Sequence, residues 1–186
     1  MRTGIYGGSF NPPHMAHLMV CAYALASGEV DRVLVIPCAR HAFNKEMIPY
    51  NHRLKMCQLA IEDIFQNVEV SDIESQRSEI SYMIDTLKEL QIRHPDDSFR
   101  LIIGTDILEE IPRWKEPDQV REIAPILVVP RLDSKKVEQD SGDYHFTLPE
   151  ISSSLIRKKL SSNESINGLV PAKVENYILG LGNILV

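Results

Sequence analysis

The stretch Thr3-Gly4-Ile5-Tyr6-Gly7-Gly8-Ser9-Phe10-Asn11-Pro12-Pro13-His14-Met15-Ala16-His17-Leu18 decides the fold. Thr3 to Tyr6 is strand-like and is stopped by two glycines. After the two prolines the pattern turns helical, with Leu18, Cys21, Ala22 and Leu25 at i, i+3, i+4 and i+7 on one apolar face that ends near Gly28. Arg32 to Ile36 then carries an unbroken apolar run closed by Pro37, the pattern of a strand buried on both faces. The chain thus opens as a β-α-β unit.

The alternation continues outward from this unit. Leu54, Cys57, Ala60, Ile61 and Ile64 mark a second amphipathic helix, Val68 to Val70 a short strand, and Ile80 to Leu90 a third helix. Phe99 to Ile103 is a buried strand closed by Gly104, and Pro125 to Pro130 is another. Ser134 to Asp143 is polar and reads as a surface loop, while Ser152 to Leu160 and Pro171 to Leu179 are the last helices. Strands separated by helix-length segments predict an α/β fold, a Rossmann-like doubly wound parallel sheet with helices on both faces. With no internal repeat and no linker, residues 1–186 are expected to form a single domain.

Composition fits one ordinary core: 186 residues, 44% hydrophobic and 25% charged. Nine Gly and 11 Pro are too few for a collagen-like or low-complexity chain. A formal net charge of -6 excludes a whole-surface nucleic-acid footprint, so an anionic ligand needs a local cluster. The apolar runs are strand-sized, which predicts no membrane span. The N-terminus lacks a secretory h-region, and three cysteines without CxxC spacing read as reduced thiols, so a cytoplasmic protein is expected. Between residues 32 and 58, Arg32, Arg40, Lys45, Arg53 and Lys55 stand against Glu46 alone. Residues 59 to 90 are strongly acidic. Solvated faces are the ordinary meaning of such runs; the sharper one is that the basic stretch faces a phosphate-rich ligand.

In a parallel α/β sheet ligands gather at the carboxyl ends of the strands, where Gly7 to Leu18 lies. The glycines let backbone N–H groups approach an oxyanion, and the following helix N-terminus adds partial positive charge. His14 and His17, three apart, stack on one helix face toward whatever that loop holds. A metal pair is the alternative, at roughly one chance in ten, with no third ligand evident nearby. Neither GxGxxG after a strand nor GxxxxGK[ST] occurs, so phosphate binding uses another device.

Gly8 to His17 resembles the GxFxPxHxxH signature of the nucleotidylyltransferase superfamily, and Ile151-Ser152-Ser153-Ser154-Leu155-Ile156-Arg157 resembles its ISSTxIR signature. Between them Ile36-Pro37 with a later His and Lys, Ser81-Tyr82, Asp85-Thr86-Leu87, Ile102-Ile103-Gly104-Thr105-Asp106 and Trp114 are similar to the bacterial nicotinate mononucleotide adenylyltransferases. The resemblance spans essentially the whole chain. It implies transfer of AMP from ATP to nicotinate mononucleotide, giving deamido-NAD and pyrophosphate, with Mg2+ entering alongside ATP and no protein metal site. The alternatives are a nicotinamide mononucleotide or dual-specificity enzyme, a phosphopantetheine adenylyltransferase, and a non-catalytic nucleotide-binding module.

The resemblance also implies roles. The amides around Gly8, Ser9 and Phe10 would meet the α-phosphate; His14 and His17 would stabilise charge on the ATP phosphates; Ser152, Ser153 and Arg157, beside Ile151, would hold the β- and γ-phosphates. Lys45 would bridge the two phosphate groups in the transition state, which with His14, His17 and Arg157 completes the expected catalytic set. Gly104 and Asp106 would contact the ATP ribose. Ser9, Lys45, Tyr82, Trp114 and Lys115 would line the mononucleotide site. Ala16 replaces the usual Gly between the histidines, and Met83, Lys115 and the loop Cys38 to Lys45 depart from the family pattern on the mononucleotide side. Lys115 and Arg40 would favour the carboxylate of nicotinate. The sequence leaves a homo-oligomer and the role of Cys38 open.

Overall fold

In the computed structural model, residues 1–40, 46–75, 80–130 and 148–182 are described. The expected bridging residue Lys45 and the polar segment Ser134 to Asp143 lie outside them. Five strands, β1 (Arg2–Gly8), β2 (Arg32–Pro37), β3 (Val68–Val70), β4 (Ser98–Gly104) and β5 (Ile126–Val129), alternate with α1 (Met15–Ala26), α2 (Tyr50–Ile61), α3 (Met83–Arg93) and α4 (Pro117–Ile123). Helices α5 (Ser153–Ser161) and α6 (Ala172–Leu181) follow. All strand pairs are parallel, in the order β3-β2-β1-β4-β5. The winding reverses between β1 and β4, which opens a crevice at their carboxyl ends.

Strand periodicity divides the core into two layers. Tyr6, Val33, Val35 and Ile102 face Leu18, Cys21, Met56, Ala60, Ile156 and Val174, so α1, α2, α5 and α6 cover one face. Ile5, Leu34, Ile36, Leu101 and Ile103 face Ile84, Leu87, Leu90 and Val120, so α3 and α4 cover the other. Helices on both faces and the all-parallel order agree with the expected doubly wound sheet.

Several local expectations are corrected. Ala22 is exposed, and α1 instead buries Ala16, Val20 and Ala24 with Leu18 and Cys21. Ile64 is 53% exposed beyond the end of α2, whose buried face includes Arg53 and Met56. Ile80 is 43% exposed, because α3 starts only at Met83. Helix α4 and the 3₁₀ turns Thr105–Ile107 and Ile111–Arg113 are additional: these segments are short and mix polar with apolar residues without a long amphipathic period.

The amino ends of the strands are tied together by charge, away from the crevice. Asp97 accepts hydrogen bonds from Thr3 Oγ1 at 2.7 Å and Arg32 Nη2 at 2.9 Å, and the N-terminal ammonium is 3.2 Å away. Burial alone would raise the Asp97 pKa, but these donors outweigh it and hold the carboxyl at about 2. A carboxylate with a depressed folded pKa stabilises the fold above its unfolded value of about 4, and that stability is lost as pH falls from there through the folded pKa. Thermal melts should therefore show Tm falling between about pH 4 and pH 2, and Asp97→Asn should lower the neutral-pH Tm and flatten that decline. An unchanged decline would assign it to other groups.

Candidate active site

Gly7 and Gly8 end β1 at the point where the sheet switches direction. Neither takes a left-handed backbone; the residue that does is Phe10, at φ 45°. Close approach is what the second glycine permits, since a Cβ on Gly8 would stand 3.1 Å from the Phe10 ring. The Phe10 ring is buried edge-on to Tyr6, at 5.4 Å between centroids, and packs at 4.9 Å on His17.

His14 caps α1 in an extended conformation, and its backbone N–H donates to His17 Nδ1 at 3.0 Å. An Nδ1 that accepts is unprotonated, so the ring proton of His17 sits on Nε2, where it can be donated. The two imidazoles are stacked, 3.6 Å between centroids and 24° apart in plane. They differ in access. His17 lines the crevice, whereas His14 is 2% exposed and packs behind it.

The carboxy-terminal motif reaches the same loop. Ser152 caps α5 by accepting from the Leu155 N–H at 3.1 Å. Ser153 Oγ donates to Pro12 O at 2.9 Å, and Arg157 Nη1 donates to Asn11 O at 2.7 Å. The start of α5 with Ile151, Ser152, Ser153 and Arg157 therefore sits beside residues 11–12, although 140 or so residues of chain separate the two motifs.

The crevice encloses about 830 Å³. Gly8, Ser9, Phe10 and His17 form its middle. Gly104, at the carboxyl end of β4, and the exposed Asp106 form one part of its wall. Tyr82, Met83, the half-buried Trp114 and Lys115 form another. Lys115 Nζ lies 3.0 Å from both Asp85 carboxylate oxygens and 5.1 Å above the Tyr82 ring, which ties the Trp114 segment to α3. The bond to Asp85 raises the Lys115 pKa, so the ammonium stays charged.

Three residues outside the expected catalytic and binding sets also belong to this region, Cys38 and Arg53 figuring in the sequence only as an open thiol and as part of the basic stretch. Glu74, 4% exposed, accepts from the Ala39 N–H at 3.0 Å and from Thr86 Oγ1 at 2.8 Å, joining the end of β2 to α3. In the sequence it is one carboxylate of an acidic run, and nothing there marks it as buried. Cys38 lines the crevice, with burial pushing its thiol up to about 11, so it is a thiol and not a thiolate at neutral pH. Arg53 is buried behind the loop. The basic stretch does not face the crevice as a unit: Arg32 bonds Asp97 at the opposite edge, and Arg40 is exposed.

A profile of the cytidylyltransferase-like family matches residues 5–159. The chain is 40% identical over 177 residues to a probable nicotinate-nucleotide adenylyltransferase of Anaeromyxobacter dehalogenans, covering 94% of this chain and 91% of that protein. It is 37% identical to one of Streptococcus pneumoniae, covering 95% and 86%. Among solved structures it is similar to Plasmodium falciparum nicotinic acid mononucleotide adenylyltransferase complexed with NaAD, with a TM-score of 0.80, 25% identity and 98% and 97% of the two chains covered. With the profile spanning most of the chain and relatives of one name aligned almost end to end, this chain belongs to the cytidylyltransferase-like family of nucleotidyltransferases, among its nicotinate-nucleotide adenylyltransferases.

Proposed function

We propose that this chain transfers the adenylyl group of ATP to nicotinate mononucleotide, forming deamido-NAD and releasing pyrophosphate. The observation that supports this reading is the crevice itself: the glycine-ended strand β1 and a histidine donor at its middle, with Gly104 and Asp106 on one part of its wall and Tyr82 and Trp114 on another. The attacking group is a phosphate monoester, largely dianionic at neutral pH because its second pKa is about 6. Its oxygen bonds the α-phosphorus as the bond to the β-phosphate oxygen breaks, and the electron pair leaves with pyrophosphate. No protein nucleophile is needed. The chain's task is to align the two phosphates and offset charge on the leaving group.

The backbone N–H groups of Ser9 and Phe10 meet the α-phosphate, while the Gly8 N–H, expected beside them, belongs to the β1–β2 ladder, where Gly8 pairs with Pro37. His17 donates its Nε2 proton toward the same oxygens, and His14 supports it from behind. Ser152, Ser153 and Arg157 hold the β- and γ-phosphates, with Ile151 setting the entry to α5. Lys45 bridges the reacting phosphates. Gly104 and Asp106 receive the ATP ribose, while Trp114 and Tyr82 line the pyridine site with Ser9 and Lys115. Magnesium would arrive with ATP, held on phosphate oxygens and water, and would offset charge on the leaving pyrophosphate.

Lys115 gives the reading a specificity test, because its ammonium stands over the Tyr82 ring. Lys115→Met should lower kcat/KM for nicotinate mononucleotide about 5-fold, an exposed ion-pair effect, and leave the nicotinamide analogue unchanged. Equal losses on both would remove the charge-selection role. For the reaction itself, α-phosphate-labelled ATP should yield labelled dinucleotide with nicotinate mononucleotide, and label recovered only as ATP would reject it.

A further inference from the structure

The Arg53 side chain, on α2, is 1% exposed. Its bonds run to backbone carbonyls: Nε donates to Ile48 O and Nη1 to Ser9 O, both at 2.8 Å, and its guanidinium lies 5.5 Å from the Tyr50 ring centroid. Burying a cation against neutral carbonyls is costly, and an apolar residue of the same volume would fill the space more cheaply. The fork does something an apolar side chain cannot do. It grips the loop that carries the left-handed Phe10.

A bulky residue at φ 45° costs about 1–3 kcal/mol and persists only where its surroundings fix it. The surroundings are specific. Across a trans peptide the C=O and N–H point in opposite directions. With the Ser9 carbonyl drawn to Arg53, the Phe10 N–H is turned away from Arg53. The same logic applies one peptide earlier, where the Cys38 N–H takes the Gly8 carbonyl at 2.8 Å and so turns the Ser9 N–H. Arg157 takes the Asn11 carbonyl. Ser9 and Phe10 both line the crevice.

We infer that Arg53 is a positioning residue for adenylyl transfer, holding the Ser9–Phe10 peptide so that the Phe10 N–H faces the crevice where the α-phosphate reacts. The inference rests on the adenylyltransferase reading for its ligand. Lysine is no substitute, because a single flexible ammonium cannot hold two carbonyls in a fixed fork.

The test uses the full chain labelled with 15N-phenylalanine, which gives five backbone amides to follow. In the wild type, α,β-methylene-ATP should shift the Phe10 amide resonance. In Arg53→Lys that shift should be lost while the other labelled amides keep their wild-type positions. The same variant should lose at least about 10-fold in kcat, with KM for both substrates within about 3-fold, as expected when an interaction made mainly in the transition state is misaligned. A purely structural arginine would lower Tm and leave kcat per folded molecule intact, which overturns the inference. Arg53→Gln, which keeps one donor group, serves as a second variant. If neither variant folds, the wild-type Phe10 resonance decides, and its failure to move with the analogue rejects the inference. A wild type that shifts Phe10 without making dinucleotide rejects the substrate reading and keeps the role of Arg53; dinucleotide formation without a Phe10 shift does the reverse.

Discussion

Replacement of His17 by alanine should lower kcat about 10²- to 10³-fold while ATP binding, measured by calorimetry, changes only a few-fold. The expectation follows from what holds the ring. Its Nδ1 is occupied by the His14 N–H at 3.0 Å, which leaves Nε2–H as the donor. The ring is sandwiched, with His14 stacked at 3.6 Å and Phe10 at 4.9 Å, so the donor is fixed before ATP arrives. A donor that needs no reorganisation acts mainly on charge that grows in the transition state. His17→Gln, which can present an N–H at a similar reach, should recover part of the rate. If alanine leaves kcat unchanged, His17 is a packing residue of the Phe10 cluster and nothing more.

Arg157→Ala should reduce kcat/KM for ATP about 10²-fold, the equivalent of losing a charge-assisted contact of about 2–3 kcal/mol. Arg157 is placed for two tasks at once. Its Nη1 anchors the Asn11 carbonyl at 2.7 Å and its Nη2 reaches Ser154 Oγ at 3.3 Å, beside the α5 N-terminus that Ser152 caps. Loss of the side chain removes a cation from the side where the β- and γ-phosphates are proposed to lie and frees the loop that follows Phe10. Arg157→Lys should restore charge without the fork and recover a minority of the loss. Initial rates across ATP concentrations check this, and an unaltered ATP dependence would move the triphosphate site elsewhere.

The sheet was legible because its strands are apolar on both faces: Arg32 to Ile36 stops one residue short of the observed end, and Phe99 to Ile103 is one residue short at each end. The Gly7 to His17 turn was legible as a ligand site because glycines, a helix start and paired histidines coincide there. Helix α4 was not, since seven residues opening on Pro117 offer too few turns for a period. Helix faces were read less well than strands, as Ala22 and Ile64 illustrate: an apolar residue at the right spacing can still face water when the stripe drifts. The burial of Arg53 and Glu74 escaped for a different reason. Charged residues are ordinarily exposed, and both are buried by partners far away in sequence, the Ser9 carbonyl for one and the Ala39 N–H for the other. The difference between His14 and His17 is likewise a tertiary fact. Their spacing gives a shared face, but only the fold puts one ring in front of the other.

The charge balance takes on a local meaning. A chain with a formal net charge of -6 is proposed to bind two anionic substrates, through N–H groups at the end of β1, one histidine donor and cations brought in from α5 and the Trp114 segment. The direct measurement is pyrophosphate release with ATP and a panel of acceptors: nicotinate mononucleotide, nicotinamide mononucleotide and phosphopantetheine. Nicotinate mononucleotide should give the highest kcat/KM, with no release when the acceptor is omitted. Release that is faster with either of the other acceptors, or that proceeds without any, would contradict the proposed reaction.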